Sequence, residues 1–326
     1  MNIRSAMLLR TLMFSVPAFA TVFAPAAIAQ NDTIKIVVGY PAGGILDALA
    51  RAVAEEYRKS GSGQAFVENK PGASTMLAAT EVSRARPDGR TVLLSHSMPM
   101  TSYPYTYAKL TYSPDNLVPV ANLANVPIVM STGSQQPFKN IEEYMAAVKA
   151  DPGLGAVGLA GLGGPTHFGV LQMAKNHDLK LEAASYSGGP QLVNDEMGGH
   201  IPAGVDAAGA QMELYRAGKI RFLGVAGTQP VSFLPEVKTL QEQGVKGFEN
   251  VKIWYGAYVP KGTPPEVAAK LEKIFIAIAQ KPELKKNFAK LGLELTGESA
   301  ESMKALLAEE NRIWAPIIKE SGFKAN

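Results

Sequence analysis

The chain of 326 residues contains no cysteine. This absence excludes disulfide bonds, thiolate metal sites, cysteine nucleophiles and lipid attachment through a cysteine. The 32 basic and 29 acidic side chains nearly balance, which gives no electrostatic indication of nucleic-acid binding. The sequence also lacks the G-x-S-x-G, H-E-x-x-H and P-loop motifs, and no two of its four histidines stand three or four residues apart. We therefore expect no catalytic residues, no metal site and no cofactor.

A long apolar segment occupies the N-terminus. The only charged residues before Asp32 are two arginines, and the segment ends in the small-x-small sequence Ala27-Ile28-Ala29. This pattern predicts a signal peptide, residues 1–29, that is cleaved on export. An uncleaved membrane anchor is the alternative, and Pro17 and Pro25 disfavour it because they interrupt the apolar run. We expect a periplasmic protein of about 297 residues, enough for two lobes, that does not insert into the membrane after cleavage.

Short β-branched runs alternate with amphipathic helices along the rest of the chain. Residues 34–38 predict a buried strand, the glycine-rich loop 39–44 follows, and apolar residues then recur at helical spacing from Leu46. Similar strand–loop–helix junctions occur at 157–166 and 186–190. Strands that alternate with helices predict an α/β fold, with a largely parallel sheet covered on both faces.

The three glycine-rich loops share a feature that suits them to anion binding. Each exposes backbone N–H groups next to a helix N-terminus, which carries a partial positive charge, so each can hold a carboxylate or phosphate without a cation. The alternative is that the glycines only permit tight turns. A dinucleotide-binding site at Gly161-x-Gly163 is disfavoured because Thr166 stands where the third glycine would be.

Several segments carry a family resemblance over essentially the whole chain after the signal peptide. They are IVVGYPAGGILDALAR at 36–51, VENKPGA at 67–73, RPDGRT at 86–91, YSG at 186–188, GGHI at 198–201, LPEVKT at 234–239 and PKGTP at 260–264. Together they resemble motifs of the solute-binding receptors of tripartite tricarboxylate transporters, also called Bug receptors.

The resemblance implies a fold and a function. The fold is a two-lobed periplasmic binding protein of the Venus flytrap, type II-like kind, with mixed sheets, flanking helices and a ligand cleft between the lobes. Lobe one is expected to comprise 30–129 plus 252–326, and lobe two 130–251. The implied function is a monomeric receptor that captures a small organic acid and delivers it to membrane permease subunits. A sensor that partners a two-component kinase, and an exported hydrolase or lyase, are the alternatives.

The resemblance also implies the residues of the site, each by its match to a family motif. Asp47 is expected either to brace the first glycine loop or to hold a water molecule against the ligand. Ser95 and His96, at a strand end, form a neighbouring wall. The full set is Tyr40, Ala42, Gly43, Asp47, Ser95 and His96 from lobe one, and Gly161, Gly163, Gly164, Thr166, Tyr186 and Asp206 from lobe two.

Lobe two departs from the family pattern in its glycine loop. The family commonly has two serines there, and this chain has Leu159 and Gly164 at those positions. Two hydroxyl donors are therefore lost, and Pro165 removes a backbone N–H as well. A dicarboxylate needs donors at both ends, so this departure favours a monocarboxylate, an amide or an aromatic acid. The segment 98–112, rich in Tyr and Met, is a candidate lining for such a ligand.

Overall fold

The computed structural model describes residues 33–325, so the predicted signal peptide lies outside the described residues. Among these residues, no helix is both long enough and apolar enough to span a membrane. The strands are β1 (Ile34–Val38), β2 (Ala65–Asn69), β3 (Thr91–His96), β4 (Leu117–Val126), β5 (Ile128–Gly133), β6 (Ala156–Leu159), β7 (Glu182–Ser185), β8 (Ala203–Ala207), β9 (Ile220–Val225), β10 (Ile253–Pro260) and β11 (Glu294–Ser299).

The α-helices alternate with these strands over most of the described chain. They are α1 (Ile45–Lys59), α2 (Met76–Ser83), α3 (Tyr103–Thr106), α4 (Ile141–Ala150), α5 (Pro165–His177), α6 (Gly189–Gly198), α7 (Met212–Arg216), α8 (Pro265–Ala279), α9 (Pro282–Lys290) and α10 (Ala300–Ser321).

The strands form two mixed sheets. The first sheet has the strand order β11-β4-β10-β3-β1-β2, in which β1, β2 and β3 run parallel and β10 runs antiparallel to both of its neighbours. The second sheet has the order β7-β6-β8-β5-β9, in which β6 is parallel to β7 and β8, and β5 is antiparallel to β8 and β9. The antiparallel strands correct the expectation of a largely parallel sheet, which was based on strand–helix alternation alone. The mixed sheets with flanking helices expected of a two-lobed binding protein are confirmed.

The chain passes between the sheets twice. It leaves the first sheet at the end of β4, and β5 begins in the second sheet after the single residue Pro127. It returns between Val225, at the end of β9, and Ile253, at the start of β10. These crossings place the start of β5 and the nearby part of β8 at the base of any cleft between the sheets.

Helices bury both faces of the first sheet. Ile36 and Val38 of β1 belong to a buried apolar cluster that includes Leu49 on α1, whereas Val37 belongs to a cluster that includes Met76 on α2. This division follows from strand geometry, because successive side chains point to opposite faces. Each fully buried side chain of this size contributes about 1.5–3 kcal/mol of transfer free energy. The buried sheet is therefore a firm support for the loops that follow β1 and β3.

Candidate functional site

The loop between β1 and α1 is held by a buried carboxylate. Asp47 Oδ2 accepts hydrogen bonds from Gly43 N–H and from Arg51 Nε, both at 2.9 Å, and Asp47 Oδ1 accepts one from Asn69 Nδ2 at 2.9 Å. The same Asn69 amide donates to Tyr40 O at 3.1 Å. Burial opposes ionisation of Asp47, but the hydrogen bonds from Arg51, Gly43 and Asn69 outweigh it and hold its pKa below the usual value. Asp47 therefore braces the loop.

The helix that begins after this loop has an uncapped N-terminus. Ala42, Gly43 and Gly44 are exposed, and the N-cap residue Gly44 provides no side-chain hydrogen bond. By contrast, Asn140 and Ser299 cap α4 and α10 with their side chains. The first N–H groups of a helix have no partner within the helix, and they carry the positive end of its dipole. The start of α1 thus offers donors to an anion in solvent-accessible space.

An aromatic wall stands beside this helix start. His96, at the end of β3, accepts a hydrogen bond at Nδ1 from Met98 N–H at 3.2 Å, so its proton lies on Nε2, 3.4 Å from Thr75 Oγ1. Its ring lies 5.6 Å from that of Tyr40 and 5.9 Å from that of Tyr103, between centroids. Burial lowers the pKa of His96 to about 3, so the ring is neutral at physiological pH. His96 is a fixed, uncharged part of the wall.

A strained segment places Thr75 against His96. Ala73, Ser74 and Thr75 have φ values of 45°, 50° and 72°, all in the left-handed region that side chains disfavour. This turn brings Thr75 so close to Gly39 that a β-carbon on the glycine would lie 2.5 Å from the threonine β-carbon. Backbone strain of this kind concentrates at ligand sites. No local sequence pattern indicated it.

Asp206, on β8 of the second sheet, lies close enough to the aromatic wall for its charge to act on two tyrosines. Burial raises the pKa of Tyr40 and of Tyr255, and the nearby Asp206 carboxylate raises both further. The Tyr40 side chain is 37% exposed, so a ligand can reach it. Burial likewise raises the pKa of Asp206 to about 6. The structure therefore brings together Tyr40, His96 and Asp206 of the predicted set, with Tyr255 of β10 in addition.

The second glycine loop uses its N–H groups internally. Gly161 N–H donates to Leu159 O at 2.8 Å, and Gly163 N–H donates to His167 Nδ1 at 3.3 Å. Both glycines have positive φ, 109° and 82°, which explains why glycine is needed there. These two donors are not available to an anion while the loop keeps this conformation.

Two side chains from elsewhere cover the same loop. A β-carbon on Gly163 would lie 2.8 Å from Phe323 Cε1, and one on Gly164 would lie 2.7 Å from Met98 Sδ. Both glycines are buried, whereas Thr166 is half-buried. A role of Gly161, Gly163, Gly164 and Thr166 in ligand binding stays a prediction, and the packing shows that bulk at Gly163 would first displace Phe323.

The Ser95 and Tyr186 side chains have no contact with the aromatic wall that the structure shows. Ser95 is 1% exposed and precedes His96 on β3, so the two side chains point to opposite faces of the sheet. The Tyr186 hydroxyl donates to Asp195 Oδ2 at 3.0 Å, which ties it to α6. Contacts of either side chain with a ligand remain predictions. Within residues 33–325, no group of three or more His, Asp or Glu side chains is placed to hold a metal ion.

Comparison with known proteins gives the family. Residues 49–323 match the sequence profile of a family described as the tripartite tricarboxylate transporter family receptor. The chain belongs to this receptor family. A relative from Pseudomonas sp. strain P51, the UPF0065 protein of the tcbD-tcbE intergenic region, is 30% identical over 295 residues, which cover 90% of this receptor and 87% of the relative.

Two solved structures are similar to the receptor. The periplasmic binding protein BugD is 30% identical, with a TM-score of 0.76, over 90% of this receptor and 99% of BugD. MatC from Rhodopseudomonas palustris, solved with bound malate, is 26% identical, with a TM-score of 0.74, over 88% of this receptor and 98% of MatC. The receptor thus has the two-lobed α/β fold of periplasmic binding proteins.

Proposed function

We propose that this receptor captures a small organic acid in the periplasm and delivers it to permease subunits of a tripartite tricarboxylate-type transporter. The observation that carries the proposal is the uncapped, exposed start of α1, held by Asp47 beside the wall of Tyr40 and His96. The malate bound to the similar MatC supports the ligand class. The similarity to BugD, a periplasmic binding protein, supports the compartment. Export through a signal peptide at 1–29 completes the proposal.

Binding would use dipoles in place of a cationic side chain. A ligand carboxylate would accept hydrogen bonds from N–H groups at the start of α1, where the helix dipole favours negative charge. The Tyr40 hydroxyl would be a further donor, since its raised pKa keeps it protonated. The lobes, with limits at 30–129 plus 252–326 and 130–251, would close over the ligand and exclude water.

A calorimetric and thermal-shift screen of the mature protein tests this proposal. The probes are mono- and dicarboxylates of two to eight carbons, their amides, and aromatic acids. A ligand present at 100 times its Kd should stabilise the protein by about 2.7 kcal/mol. If neutral amides stabilise the protein and no carboxylate does, the proposal is wrong.

The receptor role also predicts that a bound acid is released unchanged. Thr75 Oγ1 lies 3.4 Å from His96 Nε2, but this nitrogen carries the proton of the neutral ring, so His96 does not act as a base toward the hydroxyl. Chromatography of ligand recovered after long incubation should show only the starting compound. Accumulation of a product in proportion to enzyme concentration would instead support an exported hydrolase or lyase.

A further inference from the structure

Asp206 stands at the base of the cleft, where the chain crosses between the sheets. Its partner in the β5–β8 ladder is Val129, which lies two residues after the crossing at Pro127. From this position its charge reaches Tyr40 and Tyr255, which belong to the first sheet. A carboxylate here faces whatever the cleft encloses.

The Asp206 carboxylate also lies against the start of α6. A β-carbon on Gly189, the first residue of α6, would lie 2.3 Å from Asp206 Oδ2 and 3.1 Å from Ala210 Cβ. The N-cap residue Gly188 gives α6 no side-chain cap. The negative charge of Asp206 therefore already occupies the positive end of α6. A ligand carboxylate placed there would meet a like charge. The Asp47 carboxylate in the first turn of α1, by contrast, is already paired with Arg51 and hydrogen-bonded to Gly43 N–H and Asn69, so the start of α1 is the better anion site.

The other groups around Asp206 are neutral or acidic. Tyr40 and Tyr255 stay protonated because burial raises the pKa of each, and neutral His96 packs on Tyr40. Glu196 of α6, which accepts a hydrogen bond from Ser131 Oγ at 2.8 Å, lies near enough for Asp206 to raise its pKa. In the part of the chain that the structure describes, no lysine or arginine acts on the pKa of Asp206. The carboxylate thus lacks a cationic partner from the protein.

We propose that Asp206 selects ligands that carry an ammonium group at the end opposite their carboxylate. The ligand would then be an amino acid-type zwitterion, with its carboxylate at the start of α1 and its ammonium between Asp206 and the rings of Tyr40 and Tyr255. Aromatic faces and a carboxylate are the groups that stabilise a desolvated ammonium. A dicarboxylate would place its second charge beside Asp206, where it is repelled. This inference rests on the proposed function, because it assigns the other end of the same ligand.

The inference has a pH signature. An ammonium ligand binds the ionised form of Asp206, whose pKa is about 6, so its affinity should fall as the pH drops below that value. The groups that face Asp206 are Tyr40 and Tyr255, which do not titrate near neutral pH, and Glu196, whose pKa of about 7 lies in the same range. The pH dependence of ligand affinity that remains in the Asp206→Asn variant measures the contribution of Glu196.

Four compounds that share a carboxylate at one end and differ at the other end provide the test. They are pentanoate, 5-aminopentanoate, the monoamide of glutarate, and glutarate, each with its four- and six-carbon analogues. Calorimetry on the mature protein at pH 7.5 should show the ammonium compound of the best length binding at least about tenfold more tightly than the others. Its affinity should fall about tenfold by pH 5, whereas that of pentanoate changes little.

Asp206→Asn should abolish the preference for the ammonium compound and tighten glutarate binding. The matched control is Glu182→Gln on the exposed edge of β7, which should retain the preference. If the variant fails to fold, as judged by circular dichroism, the pH profiles of the wild type decide the question. Tightest binding of glutarate, the amide or pentanoate to the wild type would overturn the inference and leave the proposed function standing. If none of these carboxylates binds at any length but another acid of the wider screen does, the inference is wrong and the proposed function stands. If no carboxylate binds in either experiment, both are wrong.

Discussion

Replacing Asp47 with asparagine tests how the first glycine loop is built. Asparagine keeps the volume but has a single acceptor oxygen. If that oxygen accepts from Gly43 N–H and Arg51 Nε as Oδ2 does now, the amide nitrogen takes the place of Oδ1 and faces the donor Asn69 Nδ2. Hydrogen bonds to a charged group contribute about 1.5–3 kcal/mol each. The Arg51 side chain is 55% exposed, so solvent screens its ion pair with Asp47 and the pair adds little to this contribution. We expect a total loss of about 2–3 kcal/mol in the free energy of unfolding.

Thermal unfolding measures this loss directly. A chain of this size loses about 2–4 °C of Tm per kcal/mol, so Asp47→Asn should lower Tm by about 4–12 °C. Because the folded-state pKa of Asp47 is lowered, its stabilisation is present above the unfolded pKa near 3.9 and is lost as the pH falls through the folded value. The variant should therefore show a smaller fall in stability below about pH 4 than the wild type. Asp115→Asn, at an exposed site, is the control.

The same variant separates the two predicted roles of Asp47. If Asp47 braces the loop, both Tm and ligand affinity should decrease, since the loop positions the start of α1. If it only holds a water molecule against the ligand, affinity should decrease while Tm stays within about 1 °C of the wild type, because the stability of the loop would then not depend on the Asp47 hydrogen bonds. An unchanged Tm would refute the reasoning from the hydrogen bonds.

Two further substitutions test the packing around the cleft. Gly189→Ala puts a β-carbon 2.3 Å from Asp206 Oδ2, so it should displace the carboxylate. In the calorimetric assay, 5-aminopentanoate should then bind at least about fivefold more weakly, whereas pentanoate binding should be unaffected. Equal effects on both compounds would contradict the placement of Asp206. Phe323→Ala removes a ring whose centroid lies 4.8 Å from that of His167, and because Phe323 is half-buried the variant should lose about 1–2 kcal/mol in chemical denaturation. The control is Leu291→Ala, because the Leu291 side chain is 50% exposed. Equal losses of unfolding free energy in the two variants would show that the contacts of Phe323 do not contribute to stability beyond those of an exposed side chain.

Local sequence patterns predicted the parts of the site that lie close together in the chain. The β-branched run 34–38, the glycines after it and the apolar spacing from Leu46 predicted β1, its loop and α1. The short distance from Gly43 to Asp47 made a brace between them a reasonable hypothesis. The structure contains β1, α1 and the hydrogen bond between Gly43 and Asp47. Each of these features depends on contacts between residues a few positions apart.

Long-range contacts could not be predicted in this way. Tyr255 reaches the cleft because β10 runs antiparallel between β3 and β4, a pairing that no local pattern reveals. Phe323 covers Gly163 from the far end of the chain. The glycine content of the second loop correctly indicated positive φ, but it gave no sign that Gly161 N–H is bonded to Leu159 O. Composition predicts backbone freedom, whereas the partner of each N–H depends on tertiary packing.

A co-crystal structure with the tightest-binding carboxylate tests the central claim most directly. We predict that its carboxylate lies within hydrogen-bond distance of N–H groups at the start of α1, beside Tyr40, with its far end toward Asp206. A carboxylate bound at the Gly161–Gly163 loop with Phe323 displaced, or bound outside the cleft, would contradict the claim that the uncapped helix start is the anion site.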